Sequence, residues 1–95
     1  MTAAELNELF GAIIAPTAEV SIPDAWLPAV HDALRAIEEL PTDIRAFAIV
    51  TGVIESDGQL RIKITAAPEY MPEDGMQRIA EIVANAQAAV KRSVH

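Results

Sequence analysis

Residues 44–65 read IRAFAIVTGVIESDGQLRIKIT, and the Asp57-Gly58 pair between two apolar runs decides how this chain is expected to fold. A type I′ turn needs two central residues at positive φ, and Asp-Gly meets that need, so the stretch reads as a β-hairpin. With the pair at the tip, Glu55 faces Leu60, Val53 faces Ile62, Thr51 faces Ile64 and Ile49 faces Ala66. One face of the expected ribbon then carries Phe47, Ile49, Val53, Leu60, Ile62 and Ile64. Arg61, Lys63 and Thr65 stand on the other, beside the small or apolar Ala48, Val50, Gly52 and Ile54. A mid-strand glycine leaves room for another backbone or side chain, so this second face is a candidate contact surface unless, as an exposed apolar strip beside two cations favours, the connector around Val20 or a helix covers it.

Outward from the hairpin, the chain reads as helical. Thr2-Ala3-Ala4-Glu5 fits a capping box, and Leu6, Leu9, Phe10, Ile13 and Ile14 recur at helical spacing, predicting a helix over about 2–14. Pro16 stops it, because the residue before a proline is pushed out of the α region. A connector containing Val20, Ile22 and Pro23 is expected to lie against the core. A second helix spans about 24–40, with Asp24 as N-cap or Pro28 at the first helical position. Its apolar stripe is Trp26, Leu27, Val30, Leu34, Ile37 and Leu40, and its polar side is His31, Asp32, Arg35, Glu38 and Glu39. A third helix spans about 73–94, with Glu73 and Asp74 in the first turn and Lys91 and Arg92 in the last, as the helix dipole favours. Met76, Ile79, Val83, Ala86 and Val90 form its stripe.

The expected class is therefore α+β, one domain over residues 1–95, in the order α-α-β-β-α with strands at about 44–55 and 60–66. A lone hairpin is marginal in water, so it must pack on the helices. Two copies pairing their hairpins across a two-fold axis would give a four-stranded sheet, and a homodimer is the expected assembly.

Composition narrows the function classes. The chain has 95 residues, no cysteine, a hydrophobic fraction of 52% and a net charge of −7. Without thiols there is neither a disulfide nor a thiolate metal site. Residues 1–43 hold eight acids (Glu5, Glu8, Glu19, Asp24, Asp32, Glu38, Glu39 and Asp43) against the single base Arg35, while acids and bases balance over 44–95. Direct binding to nucleic acid is not expected, since counterion displacement needs positive charge. A basic protein partner suits the acidic half, although net negative charge also serves solubility. No apolar run reaches membrane-span length and no basic-then-apolar leader opens the chain, so a cytoplasmic location is expected.

No residue set implies catalysis, a cofactor or a metal. His31 has Asp32 and Arg35 beside it but no positioned second base, and reads as a solvated histidine. Glu38-Glu39 and Glu73-Asp74 are sequence neighbours, whose side chains diverge by about 100° on a helix. Two sets remain as partner-binding candidates: Arg61 and Lys63 on the hairpin, and Asp32, Glu38, Glu39 and Asp43 in the acidic half. Trp26 with Tyr70 and Met71 is a further aromatic candidate, read in favour of the core.

Asp24-Ala25-Trp26-Leu27 opening a helix, then Glu55-Ser56-Asp57-Gly58-Gln59-Leu60-Arg61 and a final helix, resembles small phage and prophage proteins of uncharacterised function. The matching positions are Trp26, Glu55, Gly58, Leu60 and Arg61, over roughly residues 24–95. Ile54, Ser56 and Asp57 depart from the lysines and aromatic residue of that group, and its C-terminal cysteine has no counterpart. The resemblance implies an origin and no activity.

The resulting expectation is a non-enzymatic, acidic, dimeric protein–protein interaction module. Its rivals are an inhibitor of a nucleic-acid-binding defence enzyme, anti-CRISPR-like, whose acidic half imitates phosphates, and then a secretion-chaperone-like dimer. An enzyme built around His31 comes last.

Overall fold

The computed structural model describes residues 2–93. In chain order these form α1 (Ala3–Leu9), β1 (Ile14–Ser21), a 3-10 turn (Asp24–Trp26), α2 (Leu27–Glu38), α3 (Thr42–Arg45), β2 (Ala48–Ser56), β3 (Gln59–Ala66), a second 3-10 turn (Pro68–Tyr70) and α4 (Gly75–Ser93). The class is α+β, as expected, but the sheet is a mixed one of three strands. β2 lies in the centre, parallel to β1 and antiparallel to β3. A parallel pair needs a long crossover, and the first 3-10 turn, α2 and α3 supply it.

β1 replaces what reads as the end of a 2–14 helix and a connector. The first helix stops at Leu9, and Ile14 is already paired with Val50. Pro16 breaks the helix and is tolerated in the strand because β1 is at an edge, where a missing N–H costs no ladder bond. Ala18, Val20 and Ile22 then alternate toward the core, a strand period that the proline and its short run obscure.

Other boundaries also move. Pro41 begins the short α3, so Ile44 is a buried helical residue, and the strand expected from residue 44 starts at Ala48. Asp24 makes no side-chain cap. It opens a 3-10 turn instead, and Pro28 sits in the first turn of α2. Glu73 and Asp74 precede α4 rather than occupying its first turn, and the expected end at residue 94 lies outside the described residues.

The Asp57-Gly58 turn forms as the sequence demands, with φ of +53° and +77°. Glu55 pairs with Leu60 and Val53 with Ile62. Beyond Gly52 the expected register fails. Gly52 pairs with Lys63 and Val50 with Ile64, leaving Thr51 as an extra residue, and Ile49 pairs with Thr65 rather than Ala66. A bulge of this kind changes which side chains share a face. Val50 and Val53, three apart, are both fully buried, while Phe47 and Ile49 turn outward at 37% and 38% exposure.

One hydrophobic cluster ties the helices to a single side of the sheet. It joins Leu6 of α1 and Phe10 at its C-cap, the α2 stripe from Leu27 to Ile37 with Trp26 and Leu40 flanking it, Ile44, and Ile79, Ala86 and Val90 of α4 to Ile14, Val50, Val53 and Leu60. Met76, expected in the α4 stripe, is exposed, and Gly75 is buried in its place against Met71 and Ile44. Among the described residues no helix is long and apolar enough to cross a membrane.

Candidate interaction surface

The side of the sheet turned away from the helices is built in rows by the strand register. Glu19, Gly52 and Lys63 form one row across β1, β2 and β3; Ser21, Ile54 and Arg61 form the next; Ile49 and Thr65 pair beyond them. None of these residues belongs to the hydrophobic cluster or packs against it. Gly52 is covered by the stem of Lys63, whose Cδ lies 3.4 Å from where a Cβ on Gly52 would be. The room expected at this glycine is thus used by a side chain of the chain itself. Among the described residues the side chains of Glu19, Arg61 and Lys63 enter no hydrogen bond or ion pair.

At one end the face becomes apolar. The rings of Phe47 and Tyr70 stack with centroids 5.5 Å apart and planes 29° from parallel, and Tyr70 is 65% exposed. Beside them lies an open depression of about 620 Å³, lined by Arg45, Phe47, Ile49, Thr65 and Ala66 among others. Arg45 is not a free cation here, since its Nη1 donates to the carbonyl of Glu38 at 2.6 Å.

The sequence-predicted binding residues separate into two places. Arg61 and Lys63 are exposed on the open sheet face with Thr65. Asp32, Glu38, Glu39 and Asp43 lie in the helical layer, on α2, its C-terminal cap and α3, so the two sets are not brought together. Asp32 is exposed beside His31 (Nδ1 to Oδ1, 3.4 Å), and Glu39 borders a shallow hollow with Arg78 and Glu81. Ala29, Ala33 and Ala36 of α2 face Ile82, Ala86 and Ala89 of α4 around a hollow of about 180 Å³. That is below the roughly 300 Å³ at which small-ligand pockets begin.

His31 is half-buried rather than fully solvated, its ring edge-on to Phe10 at 5.4 Å. Among the described residues no polar or charged side chain is buried and no group of three or more His, Asp or Glu converges as a metal site. Trp26 is a core residue, and Tyr70 stacks on Phe47, so that aromatic set is divided.

The residues that carried the phage-protein resemblance have structural duties, with one exception. Trp26 and Leu60 are buried, and Gly58 holds a positive φ. Glu55 clamps the turn, its Oε2 accepting the Gly58 N–H at 2.7 Å. Only Arg61 is left exposed on the open face. Sequence reasoning missed Glu19, Phe47 and Ile49 as members of this surface. Placing them requires the third strand and the Thr51 bulge, and the alternation of Ala18, Val20 and Ile22 is the one signal that pointed there. Comparison with protein-family models, with curated proteins and with solved structures finds no match.

Proposed function

We propose that this protein is a non-enzymatic protein-interaction module whose contact surface is the helix-free face of the sheet. The observation that carries the reading is the contrast in content. The buried interior is wholly apolar among the described residues, whereas the open face combines Ile49, Ile54 and the Phe47–Tyr70 stack with the unengaged cations Arg61 and Lys63. Apolar groups ringed by charge are the usual anatomy of a protein contact. Site-specific photo-crosslinking in cells tests it. A crosslinker at Thr65 should capture protein, and one at Glu81 on α4 should not. Capture from Glu81 alone would overturn the assignment.

A second reading rests on the exposed acids Asp32, Glu39 and Asp43 of the helical layer, of which, among the described residues, Asp32 alone has a side-chain partner, His31 Nδ1 at 3.4 Å. On that reading the helical layer imitates a nucleic-acid backbone and blocks a basic cleft of a defence enzyme. Capture from Glu81 but not Thr65, reversed by added DNA, is its signature.

A further inference from the structure

We infer that the occupant of the open sheet face is a second copy of this chain, stacked face to face about a two-fold axis that runs along β2. The inference rests on the reading above and names its partner. It begins from the layout of charge. Among the described residues paired across the strands, the acid on this face, Glu19, lies on the β1 flank, the two bases, Arg61 and Lys63, lie on the β3 flank, and the central strand offers the uncharged Ile49, Gly52, Ile54 and Ser56. A two-fold axis parallel to β2 in the plane between two sheets exchanges the flanks. β1 of one copy then lies over β3 of the other, so Glu19 meets Lys63 of the second copy, and Lys63 meets its Glu19. Arg61 lies one row further along the same flank. The neutral central strands stack on themselves, Ile54 against Ile54 and Ile49 against Ile49.

Gly52 sits at the middle of this arrangement, in the same row as Glu19 and Lys63. With no side chain there, the Lys63 stem lies flat across the strand. That keeps the centre of the face low enough for a second sheet to approach toward the usual spacing of about 10 Å. Aligned packing of two twisted sheets is a common arrangement.

Other modes of self-association are less suited to the molecule. The chain as a whole carries −7, and although its helical layer holds Arg35, Arg45, Arg78, Lys91 and Arg92 beside Asp32, Glu38, Glu39 and Asp43, it offers no pair of opposite flanks for a second copy to match. The open face has such flanks, acid on β1 and base on β3. Edge pairing of β3, the arrangement behind the four-stranded expectation, meets two obstacles. Gln87 Nε2 already donates to the Leu60 carbonyl at 3.0 Å, and antiparallel pairing about Ile62 sets Arg61 directly across from Lys63 of the second copy. Like charges opposite one another are destabilising. The β1 edge is interrupted by Pro16, and its register with β2 is irregular between Ile14 and Glu19.

A face three strands wide, at about 4.8 Å per strand, and roughly 25 Å long is smaller than a standard interface of about 800 Å² per partner. The pairing is therefore concentration-dependent. In sedimentation equilibrium the weight-average mass should rise from one copy toward two between about 10 µM and about 1 mM, the range of weak association. Lys63→Glu and Glu19→Lys should each weaken the association by about ten-fold or more, as expected for reversing a steering charge pair. The double variant E19K/K63E, which exchanges the two flanks, should recover most of it. These positions are exposed, so circular dichroism should show each variant folded.

A mass of one copy throughout, a Lys63→Glu variant that associates as well as the parent, or a double variant no better than its singles would overturn the inference. The Thr65 crosslink separates this failure from failure of the broader reading. Capture of a different protein by a monomeric chain sinks the self-pairing and leaves the binding module standing. No capture at all by a monomeric chain sinks both.

Discussion

The two faces of the sheet share three strands and differ in almost everything else. Val50, Val53 and Leu60 on the helix side are each 2% exposed or less, whereas Ile49 on the other side is 38% exposed. Hydrophobicity does not explain the contrast, because isoleucine is as apolar as valine. The difference is one of phase. Thr51 is the single residue that pushes Val50 inward and Ile49 outward, and the face left over gathers charge from two separate strands. A face that mixes apolar and charged groups can thus arise from a register shift rather than from a motif.

The sharpest way to break the contrast is to change the phase. Deleting Ile54, which lies between the bulge and the turn, forces Val53 outward, and should cost on the order of 3 kcal/mol or more in urea unfolding from lost burial. Deleting Thr51 removes the extra residue and leaves Val50 opposite Ile64 and Gly52 opposite Lys63. The loss there should stay within about 1.5 kcal/mol, nearer a surface change than a core one. A larger loss for Thr51 than for Ile54 would show that the bulge does more than set the phase.

Truncation compares the faces directly. Leu60→Ala should destabilise by about 2–5 kcal/mol, the range for a buried leucine. Ile54→Ala should lose no more than about 1 kcal/mol when measured in dilute solution. Equal losses would mean that the open face is covered within the single chain.

At the turn joining β2 to β3, Gly58→Ala places a Cβ at φ +77°, costing about 1–2 kcal/mol. Glu55→Ala removes the Oε2 that accepts the Gly58 N–H. It should cost about 0.5 kcal/mol, the low end for an exposed hydrogen bond. Thermal unfolding of the pair should rank them in that order.

Gly52→Ala should have the smallest effect. Its new Cβ meets a flexible lysine stem at 3.4 Å, so the melting temperature should be unchanged within about 1 °C, since a few tenths of a kcal/mol moves it no further. A large loss would mean that the Lys63 stem is held rigidly across the strand.

Much of this fold is legible in the residues. All six apolar positions read on the second helix, Trp26, Leu27, Val30, Leu34, Ile37 and Leu40, are buried. The turn at Asp57-Gly58 has the backbone that its composition demands. Thr2 caps the first helix, its Oγ1 accepting the Glu5 N–H at 3.4 Å. What was hidden is equally specific. β1 begins within what reads as a helical stripe, because Ile13 and Ile14 fit either period and Pro16 suggests an ending rather than an edge strand. Arg61 and Lys63 were identified as candidates from alternation in β3 alone, but Glu19 joins their face only through strand pairing across β2.

Local chemistry by itself determined the turn, the amphipathic helices and the concentration of acid in the first half of the chain. Each of these depends on neighbours within a few residues. The third strand, the phase of β2 and the membership of the open face were decided only by tertiary structure. They depend on which backbone edge meets which, and residues as far apart as Glu19, Gly52 and Lys63 become neighbours only when hydrogen bonds set the strands side by side.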